Sequence, residues 1–181
     1  MTRFGHVMVT YFAAMGAAVA AFIPTPTRLV WNATASAPVG LYTIAPADRL
    51  EVPELVAVMP PEPLADFLVG RGYVGRGVPL LKRVLGLPGQ QVCRIGRDIM
   101  INGTAVGSAL SRDKMGRDLP VWQGCRTVAD DELFLMNWEV PDSLDGRYFG
   151  PLAASTVIGR AIPLYTDEDG HGRFVWRAPT R

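Results

Sequence analysis

Few side chains in this chain are able to activate a nucleophile. Its 181 residues include two lysines, two histidines and two cysteines. His6 stands beside an apolar amino-terminal run and His171 in a polar tail with Asp167, Glu168, Asp169 and Gly170, so neither is well placed as the base of a Ser/His/Asp arrangement. Serine chemistry here requires a neutral lysine as base, a known variant of the same logic. Lys82 is the better of the two candidates. It lies in Val78-Pro79-Leu80-Leu81-Lys82-Arg83-Val84-Leu85-Gly86-Leu87-Pro88-Gly89, and on a strand Leu80, Lys82 and Val84 share one face, which aims the amine where Leu and Val normally pack. Burial disfavours the ammonium and lowers a lysine pKa from about 10.4 toward neutrality. Ser36, in Asn32-Ala33-Thr34-Ala35-Ser36-Ala37-Pro38-Val39-Gly40-Leu41-Tyr42, stands at the mouth of the first expected strand. The plainer alternative is a lysine snorkelling from an edge strand and a turn serine.

Two other motifs carry less. Gly70-Arg71-Gly72-Tyr73-Val74-Gly75 satisfies G-x-G-x-x-G, but Gly77 and Pro79 follow where a helix would have to open to hold a pyrophosphate, so the segment reads as a loop. Ser111-Arg112-Asp113-Lys114 has S-x-x-K spacing, yet Lys114 lies among Arg112, Asp113, Arg117 and Asp118 in a segment that reads as solvated. Cys93 and Cys125 are either a single disulfide or two unrelated thiols, and without nearby histidines they make a poor metal site.

The elements that must position Ser36 and Lys82 are legible in outline. Residues Val7 to Ile23 carry no charge, behind Arg3 and His6, and read as a membrane-inserting segment within an amino-terminal unit of residues 1–30. An uncleaved anchor with Arg3 inside is the preferred reading; a cleaved signal and a buried helix are the alternatives. Residues 31–181 then form one domain, whose short apolar segments are punctuated by glycine and proline. Strands are expected over Gly40 to Ala45, Leu55 to Met59, Leu80 to Leu85, Gln91 to Ile95, Asp98 to Ile101, Glu132 to Asn137, Thr156 to Leu164 and Phe174 to Arg177, making a mainly β, antiparallel, barrel-like domain. Residues 103–130 read as an excursion from it. A net charge of +1, with both signs interspersed, gives no footprint for nucleic acid.

The segments around Ser36 and Lys82, together with Asp142-Ser143-Leu144-Asp145-Gly146-Arg147-Tyr148-Phe149-Gly150, resemble in order and spacing the three boxes of the signal peptidase I superfamily of serine/lysine proteases. The S-x-P-x-G-L-Y run, short chain and single anchor are most similar to the TraF-type peptidases of conjugative transfer systems. This resemblance implies Ser36 as nucleophile and Lys82 as general base, with the Thr34 hydroxyl and the Ser36 N–H as the oxyanion hole. It further implies that Ser143 hydrogen-bonds the lysine and that Asp145 and Arg147 order the site, joined by Arg83. The chain departs from the superfamily pattern in two places: Asn137-Trp138-Glu139 stands where general signal peptidases carry G-D-N, and Gly146 replaces a serine. The activity implied is processing of exported precursors, pilin or other transfer-pore proteins, with hydrolysis or joining of a pilin's ends both open. The partners implied are those precursors and a bacterial inner membrane, with the catalytic domain on the periplasmic side; no metal or organic cofactor is implied. A general signal peptidase for secretory preproteins and a non-catalytic, membrane-anchored assembly module are the alternatives.

Overall fold

The computed structural model describes residues 2–21 and 28–179. In chain order the elements are α1 (Arg3–Ala21), β1 (Leu29–Asn32), β2 (Val39–Ala45), β3 (Leu55–Val58), α2 (Glu62–Gly70), β4 (Leu80–Gly86), β5 (Gln91–Ile95), β6 (Asp98–Ile101), β7 (Thr104–Ser108), β8 (Gly124–Thr127), β9 (Glu132–Leu135), α3 (Gly146–Phe149), β10 (Leu152–Ala153), β11 (Val157–Asp167) and β12 (Phe174–Trp176). The expected apolar segment forms most of α1, with Phe4, Val7, Val9, Tyr11 and Phe12 exposed. Among the described residues no helix is long and apolar enough to cross a membrane. Phe22 and Ile23, the end of the expected run, lie outside the described residues.

The strands pair antiparallel in two sheets. The larger follows the order β1-β2-β11-β3-β4-β9-β10, with β12 added on β11, and the smaller the order β7-β6-β5-β8. The mainly β, antiparallel, barrel-like expectation is borne out in the form of a half-barrel, since β1 and β10 end the larger sheet on opposite edges. Its central strand β3 is buried throughout: Leu55 and Ala57 pack with Tyr42, Ile44 and Leu81 on one face, and Val56 and Val58 with Val84, Leu133 and Leu135 on the other. Burial on both faces erases the two-residue alternation and leaves a short apolar run, as for any central strand.

Several elements escape a pattern reading because little of them is buried. β7 and β8 are almost wholly exposed edge strands, and α2 buries only Leu64 and Leu68 of its nine residues. β7 and β8 belong to the 103–130 segment, so that excursion contributes two strands of the smaller sheet. Its remaining residues support α3: Trp122 Nε1 donates to the Gly146 carbonyl (3.1 Å), and the Leu110 N–H donates to Tyr148 Oη (2.9 Å). Arg94 of β5, itself buried, donates to the Arg147 carbonyl (2.6 Å). A helix of one turn makes few bonds of its own, here Gly150 N–H to the Gly146 carbonyl (3.0 Å), and these outside contacts, two of them to its carbonyls, hold it in place.

Candidate active site

Ser36 sits in the bend between β1 and β2, and the Asn32 carboxamide braces that bend from within. Asn32 Nδ2 donates to the carbonyls of Thr34 (2.8 Å), Ala37 (3.0 Å) and Pro38 (3.1 Å), while its Oδ1 accepts from the Thr34 N–H (3.2 Å) and the Thr34 hydroxyl (2.9 Å). Ser36 Oγ and Thr34 Oγ1 are 3.2 Å apart. With the Thr34 proton committed to Asn32, Ser36 is the donor of that bond. Gly40, in the same motif, brings β2 close against β11: a Cβ there would lie 2.3 Å from the Tyr165 carbonyl, with φ at +148°. Only glycine fits that contact.

Lys82 occupies the position expected from strand alternation. It pairs with Val56 across β3 and β4, lies between Leu80 and Val84 on one face, and is only 5% exposed. Nζ donates to Ser143 Oγ at 2.8 Å. Burial lowers the Lys82 pKa from 10.5 to about 8; Asp145 pulls it up and Arg147 pushes it down, so the neighbouring ion pair leaves burial as the dominant influence. In this structure Ser36 and Lys82 thus hydrogen-bond to Thr34 and Ser143 rather than to one another.

The third segment is built around a buried guanidinium. Arg147 Nε and Nη2 bind the Asp145 carboxylate in bidentate fashion (2.9 and 2.8 Å), and both side chains are essentially inaccessible. Its remaining N–H groups reach the carbonyls of Asn137 (3.3 Å), Val140 (2.7 Å), Pro141 (3.1 Å) and Ser143 (3.2 Å), folding residues 137–145 around the charge. That wrapping presents Ser143 to Lys82. Gly146 is required by the same packing: a Cβ would stand 2.6 Å from the Phe134 ring and 2.8 Å from the Leu135 carbonyl, which accounts for glycine where the superfamily commonly has serine.

Sequence reasoning gave Asn137 no role, although it joins all three segments. Its Nδ2 donates to the Ser36 carbonyl (2.5 Å) and the Leu81 carbonyl (3.1 Å), and its Oδ1 accepts from the Arg83 N–H (2.9 Å). Its own N–H donates to Asp145 Oδ2 (3.1 Å). The signal was the departure from G-D-N at this position. Asn32 was missed in the same way, a carboxamide whose partners are backbone groups.

Arg83 is placed differently from the rest. It alternates with Lys82 along β4, donates to the Pro53 carbonyl (3.2 Å) and lies 5.6 Å from the Trp138 ring centre. There it lines a groove of about 280 Å³ together with Ser36, Leu55, Asn137, Trp138 and Glu168. Lys114 of the S-x-x-K segment is exposed and pairs with Asp142 (2.5 Å), as a solvated loop predicts.

The signal peptidase (peptidase S26) family model matches residues 1–165. The chain belongs to that family. As a member it is 34% identical over 145 residues to the plasmid transfer protein TraF of Escherichia coli, covering 75% of this chain and 81% of that one. A second Escherichia coli plasmid transfer protein TraF is 31% identical over 178 residues, spanning 92% of this S26 chain and 99% of the relative. The conjugal transfer protein TraF of Agrobacterium fabrum (strain C58 / ATCC 33970) is 35% identical over 145 residues, 75% of this chain and 81% of that one. Among solved structures, a signal peptidase I from Enterococcus faecalis V583 matches 62% of this chain and 98% of its own at 22% identity, with a TM-score of 0.36. Membership in the S26 family supports a serine peptidase in general.

Proposed function

We propose that this chain is a membrane-anchored serine endopeptidase in which Lys82 serves as base to Ser36, and that it processes exported precursors of a conjugative transfer system, with pilin as the leading class. The observation that carries the reading is Lys82 itself, a lysine with its amine buried, lowered to about 8 and held by Ser143. A lysine so perturbed has a free-base population near neutral pH, as a general base needs. The TraF names of the relatives favour the conjugative clientele, and α1 is the segment that would hold the domain at a periplasmic membrane face.

The chemistry follows from these groups. The Ser36 hydroxyl leaves Thr34 for Lys82, which takes the proton as Oγ bonds to the scissile carbonyl carbon. The Ser36 N–H and the Thr34 hydroxyl, once released from Asn32, donate to the oxygen that becomes negative. The carbon–nitrogen bond then breaks as the Lys82 ammonium returns the proton to the departing amine. An acyl group remains on Ser36, to be removed by water or by another amine, so hydrolysis and joining of chain ends share the first half of the reaction.

The test is processing of a pilin precursor and of an ordinary secretory precursor by full-length protein in membranes, followed by mass. Ser36→Ala and Lys82→Ala should each stop cleavage, and the wild type should prefer the pilin precursor. Cleavage retained in both variants would remove the dyad; equal handling of both precursors would remove the conjugative clientele.

A further inference from the structure

We infer that the Asn137 side chain is the positioning residue that sets the Ser36 loop in register with the strand carrying Lys82, an inference that rests on the peptidase reading above. The argument begins where β9 ends. Through Leu135 this strand follows β4, and the Met136 N–H still donates to the Arg83 carbonyl (2.9 Å). The backbone then turns away, because the Asn137 N–H and carbonyl are taken by Asp145 Oδ2 (3.1 Å) and Arg147 Nη2 (3.3 Å). The Arg83 N–H and the Leu81 carbonyl, which flank Lys82, would lose their strand partner there. A carboxamide has the acceptor and donor of a peptide group, and Asn137 supplies both: Oδ1 to Arg83 and one Nδ2 hydrogen to Leu81.

Unlike a peptide, a primary amide has a second hydrogen. Asn137 uses it on the Ser36 carbonyl, a residue 101 positions away in sequence. The amide thereby fixes the two backbone positions on either side of Lys82 and the nucleophile's own carbonyl within one rigid planar group. Asn137 is 4% exposed, so water does not compete freely for these bonds. Asp145 and Arg147 set the Asn137 backbone, so the same ion pair that presents Ser143 to Lys82 also aims this amide.

The experiment compares Asn137→Ala and the isosteric Asn137→Asp with wild type and Ser36→Ala, using full-length protein in detergent. Asp keeps the acceptor for Arg83 but turns an oxygen toward the Ser36 and Leu81 carbonyls. Both Asn137 variants should lose on the order of 10²-fold in kcat, the scale of a misplaced catalytic group, with KM within about threefold. Labelling of Ser36 by a small fluorophosphonate, which needs the nucleophile but little of the precursor site, should slow by a similar factor. A folded variant, by circular dichroism and melting, with wild-type kcat and labelling rate would overturn the inference while leaving the dyad standing. Cleavage by Ser36→Ala would instead overturn the peptidase reading. Should neither variant fold, wild-type protein decides: the Asn137 side-chain amide protons should exchange with solvent at least about 10²-fold more slowly than those of an exposed asparagine, and free exchange overturns the inference.

Discussion

Lys82→Met should remove a pH dependence of stability that the wild-type protein possesses. Burial lowers the Lys82 pKa from 10.5 to about 8, and at 5% exposure little solvent screens it. Below about pH 8 the amine is protonated in the folded and unfolded states alike, and folding carries the full cost of burying the charge. Between about 8 and 10.5 the unfolded chain still holds a proton that the folded chain has lost, so stability rises with pH at up to about 1.4 kcal/mol per unit. Integrated over that window, the gain is about 3 kcal/mol. Methionine has similar length and no charge, and sits among the same Val56 and Val84 neighbours. Its loss of the bond to Ser143 costs roughly 1 kcal/mol at every pH, a constant offset. The assay is equilibrium urea unfolding of both full-length proteins in detergent, from pH 7 to 10.5 in half-unit steps. Tyrosine ionisation is common to both and cancels in the difference. The wild-type advantage should grow by about 3 kcal/mol across the range, a relative midpoint shift of about 1–3 M for a typical urea slope. A flat difference would show that Lys82 titrates as a solvated lysine, and the basis for its role as a base would go with it.

The same titration should appear in the chemistry: Ser36 labelling by a fluorophosphonate should climb with pH through about 8 and level off, and a rate still rising through 10.5 would contradict it. Ser143→Ala removes one hydrogen bond worth roughly 0.5–1.5 kcal/mol, so precursor cleavage should fall about 2- to 13-fold, and an unchanged rate would show that Lys82 is held without it. Asp145→Ala leaves the Arg147 charge buried and unpaired, and should lower unfolding free energy by about 3–5 kcal/mol in the same urea assay. Cys93 and Cys125 form a disulfide across 32 residues of sequence, so Cys125→Ser should lower stability by about 3–4 kcal/mol, read as a shift that reducing agent reproduces in the wild type.

The chemistry proposed for this protein is suggested largely by its residue types. With so few lysines and histidines available, elimination leaves Lys82 as the candidate base, and Ser36 is singled out by the resemblance of its segment to the first box of the signal peptidase I superfamily. The alternation of Leu80, Lys82 and Val84 places the amine on an apolar face, and the structure puts it there. The strands that sequence reasoning located within a residue or so, such as Gln91–Ile95 and Asp98–Ile101, carry their own periodicity or their own turns, as with Gly96 and Asn102. These are local properties. A strand's period and a turn's positive φ are set by neighbours in the chain.

Tertiary structure alone decided what a polar group meets. Cys93 faces Cys125 only because β5 and β8 pair in that register, and β8 has no buried face to announce itself. Asn32 and Asn137 carry no signal of their own in the sequence until the backbone carbonyls they hold are brought to them, one set from the adjacent bend and the other from Ser36 and Leu81. Strand alternation sends Arg83 away from Lys82, but only the approach of Ser36, Trp138 and Glu168 from other segments makes the side it faces a groove. A residue's chemistry is carried by its own atoms and can be read from its type. Its hydrogen-bond partners are supplied by whatever the fold places within 3 Å, and that depends on the register of strands far apart in sequence.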